Sequence, residues 1–125
     1  MQTASYLTLV EILEMTRPYE ECAPIIRRVL DRLAVEGVPG LASMHFYHDA
    51  ERAQLGAVIT FSDASQILAH TAMISQWEDF RLFASMIKVI EMRVHGKLSP
   101  ESRQWLAQFK GPIRVIEEYV GGFVR

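Results

Sequence analysis

The chain has 125 residues, half of them hydrophobic, and a formal charge of −2 from 15 acidic and 13 basic residues. That length suits one domain with one core, and so apolar a chain is not a disordered one. So small and scattered a charge excludes the electrostatic footprint of a nucleic-acid or anionic-membrane binder.

Tyr6 to Leu13, YLTLVEIL, is rich in β-branched and large apolar residues and predicts a first strand. Thr16 and Pro18 then signal a helix start, with Thr16 as cap, Pro18 in the first turn, and Glu20 and Glu21 near the positive helix end. From Ala23 to Val35 the stripe Ile25, Ile26, Val29, Leu30 and Leu33 has helical spacing, and Arg27, Arg28, Asp31 and Arg32 lie off it. Gly37 in a left-handed conformation and Pro39 would end this helix.

Leu41 to His48 predicts a second strand with two semi-apolar faces, Asp49 to Arg52 a polar turn, and Leu55 to Phe61 a third strand in hairpin with the second. Asp63 and Gln66 form a capping box for a helix carrying Ile67, Leu68, Thr71 and Ala72. Ser75 to Glu78 repeats that pattern and predicts a break, then a short helix to about Ala84. Met86 to His95 is a fourth strand. Ser99 and Pro100 start a further helix, with Trp105, Leu106 and Phe109 as its apolar edge, and Ile113 to Tyr119 is a fifth strand.

The order β-α-β-β-α-β plus a helix and a strand is the split βαβ, ferredoxin-like arrangement of an α+β domain spanning 1–125. Helices would cover one sheet face. Several of Leu7, Leu9, Met44, Phe46, Val58, Ile90 and Met92 would then point to the other, which a second copy would bury in a two-fold homodimer. Cys22 is the single cysteine, so no internal disulfide and no thiolate metal cluster can form within one chain. The start lacks the basic and long apolar parts of an export signal, and no apolar run approaches the ~20 residues of a bilayer span, so a cytoplasmic location with no membrane partner is expected.

Three stretches, YLTLVEIL, GVPGLASMHFYH and FSDASQILAHTAMISQWEDF, resemble the dimeric α/β-barrel superfamily, in particular the antibiotic-biosynthesis-monooxygenase-like proteins, over roughly Tyr6 to His95. Residues 97–125 resemble an added helix and strand that packs on or across the dimer. The resemblance implies a ligand between sheet and helices. It does not imply one reaction, since relatives include cofactor-free oxygenases, haem-degrading enzymes, isomerases and proteins of unknown role. Haem-degrading and cofactor-free members use a pocket asparagine with a tryptophan or histidine. Trp77 matches the tryptophan and His70 the helix histidine, but this chain has no asparagine.

His70 is the first candidate for acid–base work, because an imidazole has the right pKa range; the plainer role is a helix histidine bonded to a neighbour. Tyr47 and His45 share a strand face and could hold a substrate oxygen, or both could lie at a dimer interface. Glu91 and Arg93 share a face of the fourth strand, and Glu11 lies on the first. A carboxylate buried there would have a raised pKa, whereas an exposed one would form an ion pair with Arg93. Trp77, Phe80 and Phe83 could wall an aromatic pocket or simply pack the short helix. Cys22, near a helix start, would have a lowered pKa, yet no histidine lies close and an inert thiol is the better reading. No HxH or HExxH pattern or other ligand pair predicts a metal, and no Gly-rich loop predicts a phosphate cofactor.

The sequence therefore predicts a small-molecule enzyme without cofactor, monooxygenase-like or isomerase/cyclase-like, taking an apolar or aromatic carbonyl-bearing ligand. His70, Tyr47 and Glu91 would move protons, while His45, Trp77, Phe80 and Arg93 would bind substrate. The alternative is a non-catalytic ligand-binding or structural module, with a gap filled by Trp77, Phe80 and methionines. A haem-binding protein would need a histidine facing a porphyrin-sized slot.

Overall fold

Strand β1 (Leu7–Met15) lies at the centre of a five-stranded sheet in a computed structural model that describes residues 6–125. It pairs antiparallel with β3 (Gln54–Phe61) on one side and β4 (Ile87–His95) on the other. β2 (Leu41–Asp49) closes one edge by a hairpin with β3, and β5 (Ile113–Ile116) closes the other, parallel to β4. The order β2-β3-β1-β4-β5 is the ferredoxin-like α+β sheet with one strand added. The fifth strand is shorter than the sequence suggested, ending at Ile116.

Helix α1 (Tyr19–Glu36) buries Ile25, Ile26, Val29 and Leu33 of the stripe that 3.6-residue spacing predicts, leaves its Leu30 half-buried, and buries Cys22 and Ala23 beside them. Its start differs from expectation. Pro18, not Thr16, is the N-cap, and it supplies no side-chain bond. The Thr16 amide instead donates to Met86 O at 2.8 Å, stitching the strand exit to β4. At the other end Gly37 is extended, not left-handed (φ −60°, ψ 154°). Glycine is needed there for closeness: a Cβ would lie 2.5 Å from Leu33 O, which accepts the Gly37 amide at 2.8 Å.

After β3 the chain makes one 3-10 turn (Ala64–Gln66). The Asp63 carboxylate caps it by accepting from the Ser65 amide at 3.0 Å and the Ser65 hydroxyl at 2.7 Å, so the Asp63–Gln66 box does not form. Helices α2 (Ile67–Ile74) and α3 (Glu78–Ser85) follow, broken where expected. The break is made otherwise than by a Ser75 cap: the Ser75 hydroxyl turns back to Ala72 O at 2.9 Å, and Trp77 is the N-cap of α3. α4 (Pro100–Leu106) starts as predicted, with Ser99 Oγ accepting from the Ser102 amide at 3.1 Å.

The helices cover one face of the sheet. Leu7, Leu9, Leu13, Leu55, Ile59, Phe61, Met92 and Val94 all point to it and form the core with the helices. Strand parity then gives the opposite face Thr8, Val10 and Ile12 from β1, His45 and Tyr47 from β2, Val58 and Thr60 from β3, and Glu91 and Arg93 from β4. This corrects the sequence expectation: Leu7, Leu9, Met44, Phe46 and Met92 face the helices, and Val58 remains on the open side. Among the described residues, no helix is long and apolar enough to cross a membrane.

Candidate active site

Between the sheet and the helices lies a cavity of about 420 Å³. Its lining is apolar and aromatic, with Phe46, Phe80, Phe83, Trp105 and Phe109 among its walls. Two ionisable side chains reach it, Glu11 from the floor and His70 from α2. No lysine or arginine lines it.

Glu11 is placed by the alternation of β1. Leu7, Leu9 and Leu13 share its face, and its cross-strand neighbours are Ala57 and Met92. Glu11 is half-buried, and apart from His70 and Thr71 the other residues that line its cavity are apolar or aromatic. It has neither hydrogen bond nor ion pair among the described residues. Burial without compensation disfavours its charge and pushes its pKa from 4.5 up to about 7. A carboxyl there is neutral on one side of physiological pH and charged on the other, which suits a group that gives and takes a proton.

His70 is 5% exposed and packs edge-on against Phe61, with ring centroids 5.3 Å apart. Its Nδ1 is sealed from solvent with no partner. An orphaned polar atom of this kind costs about 1–3 kcal/mol, and such groups in native proteins mark strain, catalysis or an unfilled contact. Burial drives the pKa from 6.5 down to about 4, so the ring is neutral at physiological pH and retains one N–H donor. Beside it, the Thr71 hydroxyl donates to Ile67 O at 2.9 Å and keeps its lone pairs for a ligand.

Of the other residues singled out from the sequence, Phe80 lines the cavity. Trp77 is buried next to it, packing with Val29, Leu33 and Ile74 beneath the Arg32 guanidinium 4.1 Å from its ring. Tyr47, His45, Glu91 and Arg93 are placed elsewhere. Tyr47 is 62% exposed on the open sheet side, and His45 shares that side with it. Glu91 accepts from Arg93 at 3.4 Å on the same open side, the ion pair weighed as the plainer reading. None of these four touches the cavity. Cys22 is fully buried and its thiol pKa is raised, by burial first and then by Glu21, opposite to the lowering that the helix start suggested.

Glu11 was the residue that the choice of Glu91 passed over. Its signal is a charged residue in step with Leu7, Leu9 and Leu13, on the face that must be inside. Haem's two carboxylates would find no cation among the residues that line the cavity. Among the described residues no cluster of histidine, cysteine and carboxylate side chains could hold a metal.

No protein-family model matches the chain, and no curated protein matches it. Solved structures do. MupZ from Pseudomonas fluorescens superposes with a TM-score of 0.72 at 18% identity, over 98% of this chain and 93% of that one. SnoaB, a cofactor-independent oxygenase from Streptomyces nogalater, matches with a TM-score of 0.62 at 12% identity, over 73% of this chain and 91% of that one. A Chloroflexus aurantiacus protein provisionally described as an antibiotic biosynthesis monooxygenase matches with a TM-score of 0.57 at 14% identity, over 72% and 90%. The match to MupZ, unlike the other two, takes in nearly the whole chain, including the region after β4.

Proposed function

Starting from a chain with the ferredoxin-like fold of the antibiotic-biosynthesis-monooxygenase-like proteins, we propose that it is a small-molecule enzyme whose chemical step is proton transfer at a carbonyl-bearing apolar substrate. The observation that carries this reading is that an unpartnered Glu11 carboxyl and His70 line one otherwise apolar cavity. Phe80 and the methionines Met44 and Met92 line an open cavity and do not fill it, which supports a bound ligand.

The step balances without a redox group. The Glu11 carboxylate removes the proton α to the carbonyl, the C–H electron pair forms a C=C bond, and the carbonyl π pair moves onto oxygen to give an enolate. A hydrogen bond from the Nε2–H of the neutral His70 imidazole, whose sealed Nδ1 is the unprotonated nitrogen, stabilises that oxygen as charge develops. Reprotonation at another carbon by Glu11 completes an isomerisation; attack of the enolate carbon on a second carbonyl carbon of the substrate, whose C=O π pair moves onto oxygen and takes the proton from Glu11, completes a cyclisation. An enolate able to reduce O₂ by itself would open a cofactor-free, monooxygenase-like route, and SnoaB is a cofactor-independent oxygenase of similar fold.

The protein would act as a homodimer through the open sheet face, in the cytoplasm, with residues 97–125 packing on or across the pair. Val10, Ile12 and Val58 form an apolar centre there, flanked by Tyr47 and His45, and a sheet face of this kind is the sort that an obligate interface covers. Light scattering on the Val10→Asp, Val58→Asp variant checks this: the dimer mass should fall to that of one chain.

The chemistry is tested with a bicyclic enolisable ketone, 2-tetralone, in D₂O. Proton NMR should show α-deuteration catalysed by the protein, rising with pH through about 7 as Glu11 ionises. Glu11→Gln should slow it by about a hundredfold or more. Equal exchange by the wild type and Glu11→Gln contradicts the proposal.

A further inference from the structure

Outside the cavity, between α1 and the edge strand β2, a smaller groove of about 180 Å³ is lined by Tyr19, Arg27, Leu30, Tyr47 and His48. Ile26 and Phe46 line both this groove and the cavity. The two spaces therefore adjoin at these two side chains. Phe46 is half-buried and meets the cavity residue Phe83 edge-on, with centroids 5.7 Å apart.

The two spaces differ in charge. The cavity has a lone carboxyl and no cation, whereas the groove has a guanidinium. On and beside α1, Arg17 holds Glu21 at 2.6 Å, Arg28 holds Asp79 at 3.2 Å and Arg32 holds Glu36 at 2.9 Å. Arg27, the one that lines the groove, has no carboxylate partner among the described residues. Next to it the Tyr19 and His48 rings are stacked, 3.7 Å apart and within 2° of parallel, a flat wall for a ligand chain.

We infer that cavity and groove together take an amphiphilic ligand, with a neutral apolar body in the cavity and an anionic end held by Arg27 in the groove. This rests on the cavity reading above and adds the charge and orientation of the ligand. Glu11 repels an anion from the interior and Arg27 attracts it at the rim, so only one orientation satisfies both. A guanidinium binds carboxylate, sulfonate or phosphate in the same forked manner, and the shared requirement is an anionic oxygen pair.

Two dyes with one body separate the parts. N-Phenyl-1-naphthylamine is neutral, and 8-anilinonaphthalene-1-sulfonate adds a sulfonate to the same skeleton. In fluorescence titrations both should bind the wild-type protein, the sulfonate more tightly. Arg27→Gln, an exposed substitution, should weaken the sulfonate about five- to tenfold and leave the neutral dye within about twofold. Arg114→Gln, the same charge change on β5 at the opposite sheet edge, should alter neither. Unchanged sulfonate affinity in Arg27→Gln overturns the groove assignment and leaves the cavity intact. Absence of neutral-dye binding overturns the cavity reading, and the groove assignment falls with it.

Discussion

Glu11 and Glu91 lie on neighbouring strands, one residue out of step: Glu11 is opposite Met92, and Glu91 is opposite Ile12. That single step puts them on different sides of the sheet. Glu91 faces outward, reaches Arg93 at 3.4 Å and stays wet. Glu11 faces the helices, has no partner and rises in pKa to about 7. The same side chain in the same sheet is ion-paired with an arginine on one side and unpartnered in an apolar cavity on the other. What differs is not the residue but the presence of water and a countercharge.

The contrast between faces is sharpest at the adjacent residues Phe61 and Thr60. Phe61 is fully buried against His70, and Phe61→Ala should cost about 3–5 kcal/mol in urea unfolding. Thr60 points to the open side, 3.2 Å from Thr8, and Thr60→Val should cost no more than about 1 kcal/mol. Similar losses at both positions would break the two-face picture.

The buried groups come next, with opposite pH signs. Below pH 4.5 Glu11 is neutral in folded and unfolded chains alike. Between 4.5 and about 7 the folded chain keeps a proton that the unfolded chain has lost, so stability falls as pH rises. Glu11→Gln should therefore stabilise by up to about 3 kcal/mol at pH 8 and by little at pH 4. His70 runs the other way: its folded pKa is lowered, so stability is lost as pH falls from 6.5 towards about 4. His70→Gln should flatten that acid limb, also by up to about 3 kcal/mol, as read from urea midpoints across pH. Between pH 4.5 and 6.5 the two effects oppose each other in the wild type.

The smallest effect belongs to the open side. In the Val10→Asp, Val58→Asp background, which leaves the open face uncovered, a double-mutant cycle on Glu91 and Arg93 should give a coupling below about 1 kcal/mol that shrinks with added salt. A larger, salt-resistant coupling in that background would mean that the single chain itself buries the pair, against the two-face picture.

Much of the fold was legible because it follows from periodicity. The alternation of β1, the α1 stripe and the Ser99–Pro100 start all stand in the structure. Helix ends were less legible, since Thr16, Asp63 and Ser75 are polar groups with several local partners, and tertiary contacts chose among them. Face assignment was weakest on β2 and β4, where neither alternate set is plainly polar. Irregular pairing compounds this: the register shifts between Leu41 and Ser43 against β3, and between Ile12 and Leu13 against β4. That is why Tyr47 and Glu91 could be placed in the pocket from sequence and lie outside it in the fold. His70 was found because histidine advertises its chemistry, whereas Glu11 reads as an interruption until its parity is set beside the three leucines.

The most direct test is the ionisation of Glu11 itself, followed by the carbon-13 shift of its side-chain carboxyl, assigned with Glu11→Gln. A midpoint near pH 7 is the predicted result. A midpoint near 4.5, the ordinary value, would mean that water or a countercharge reaches the carboxyl, and the cavity would then hold no group poised for proton transfer.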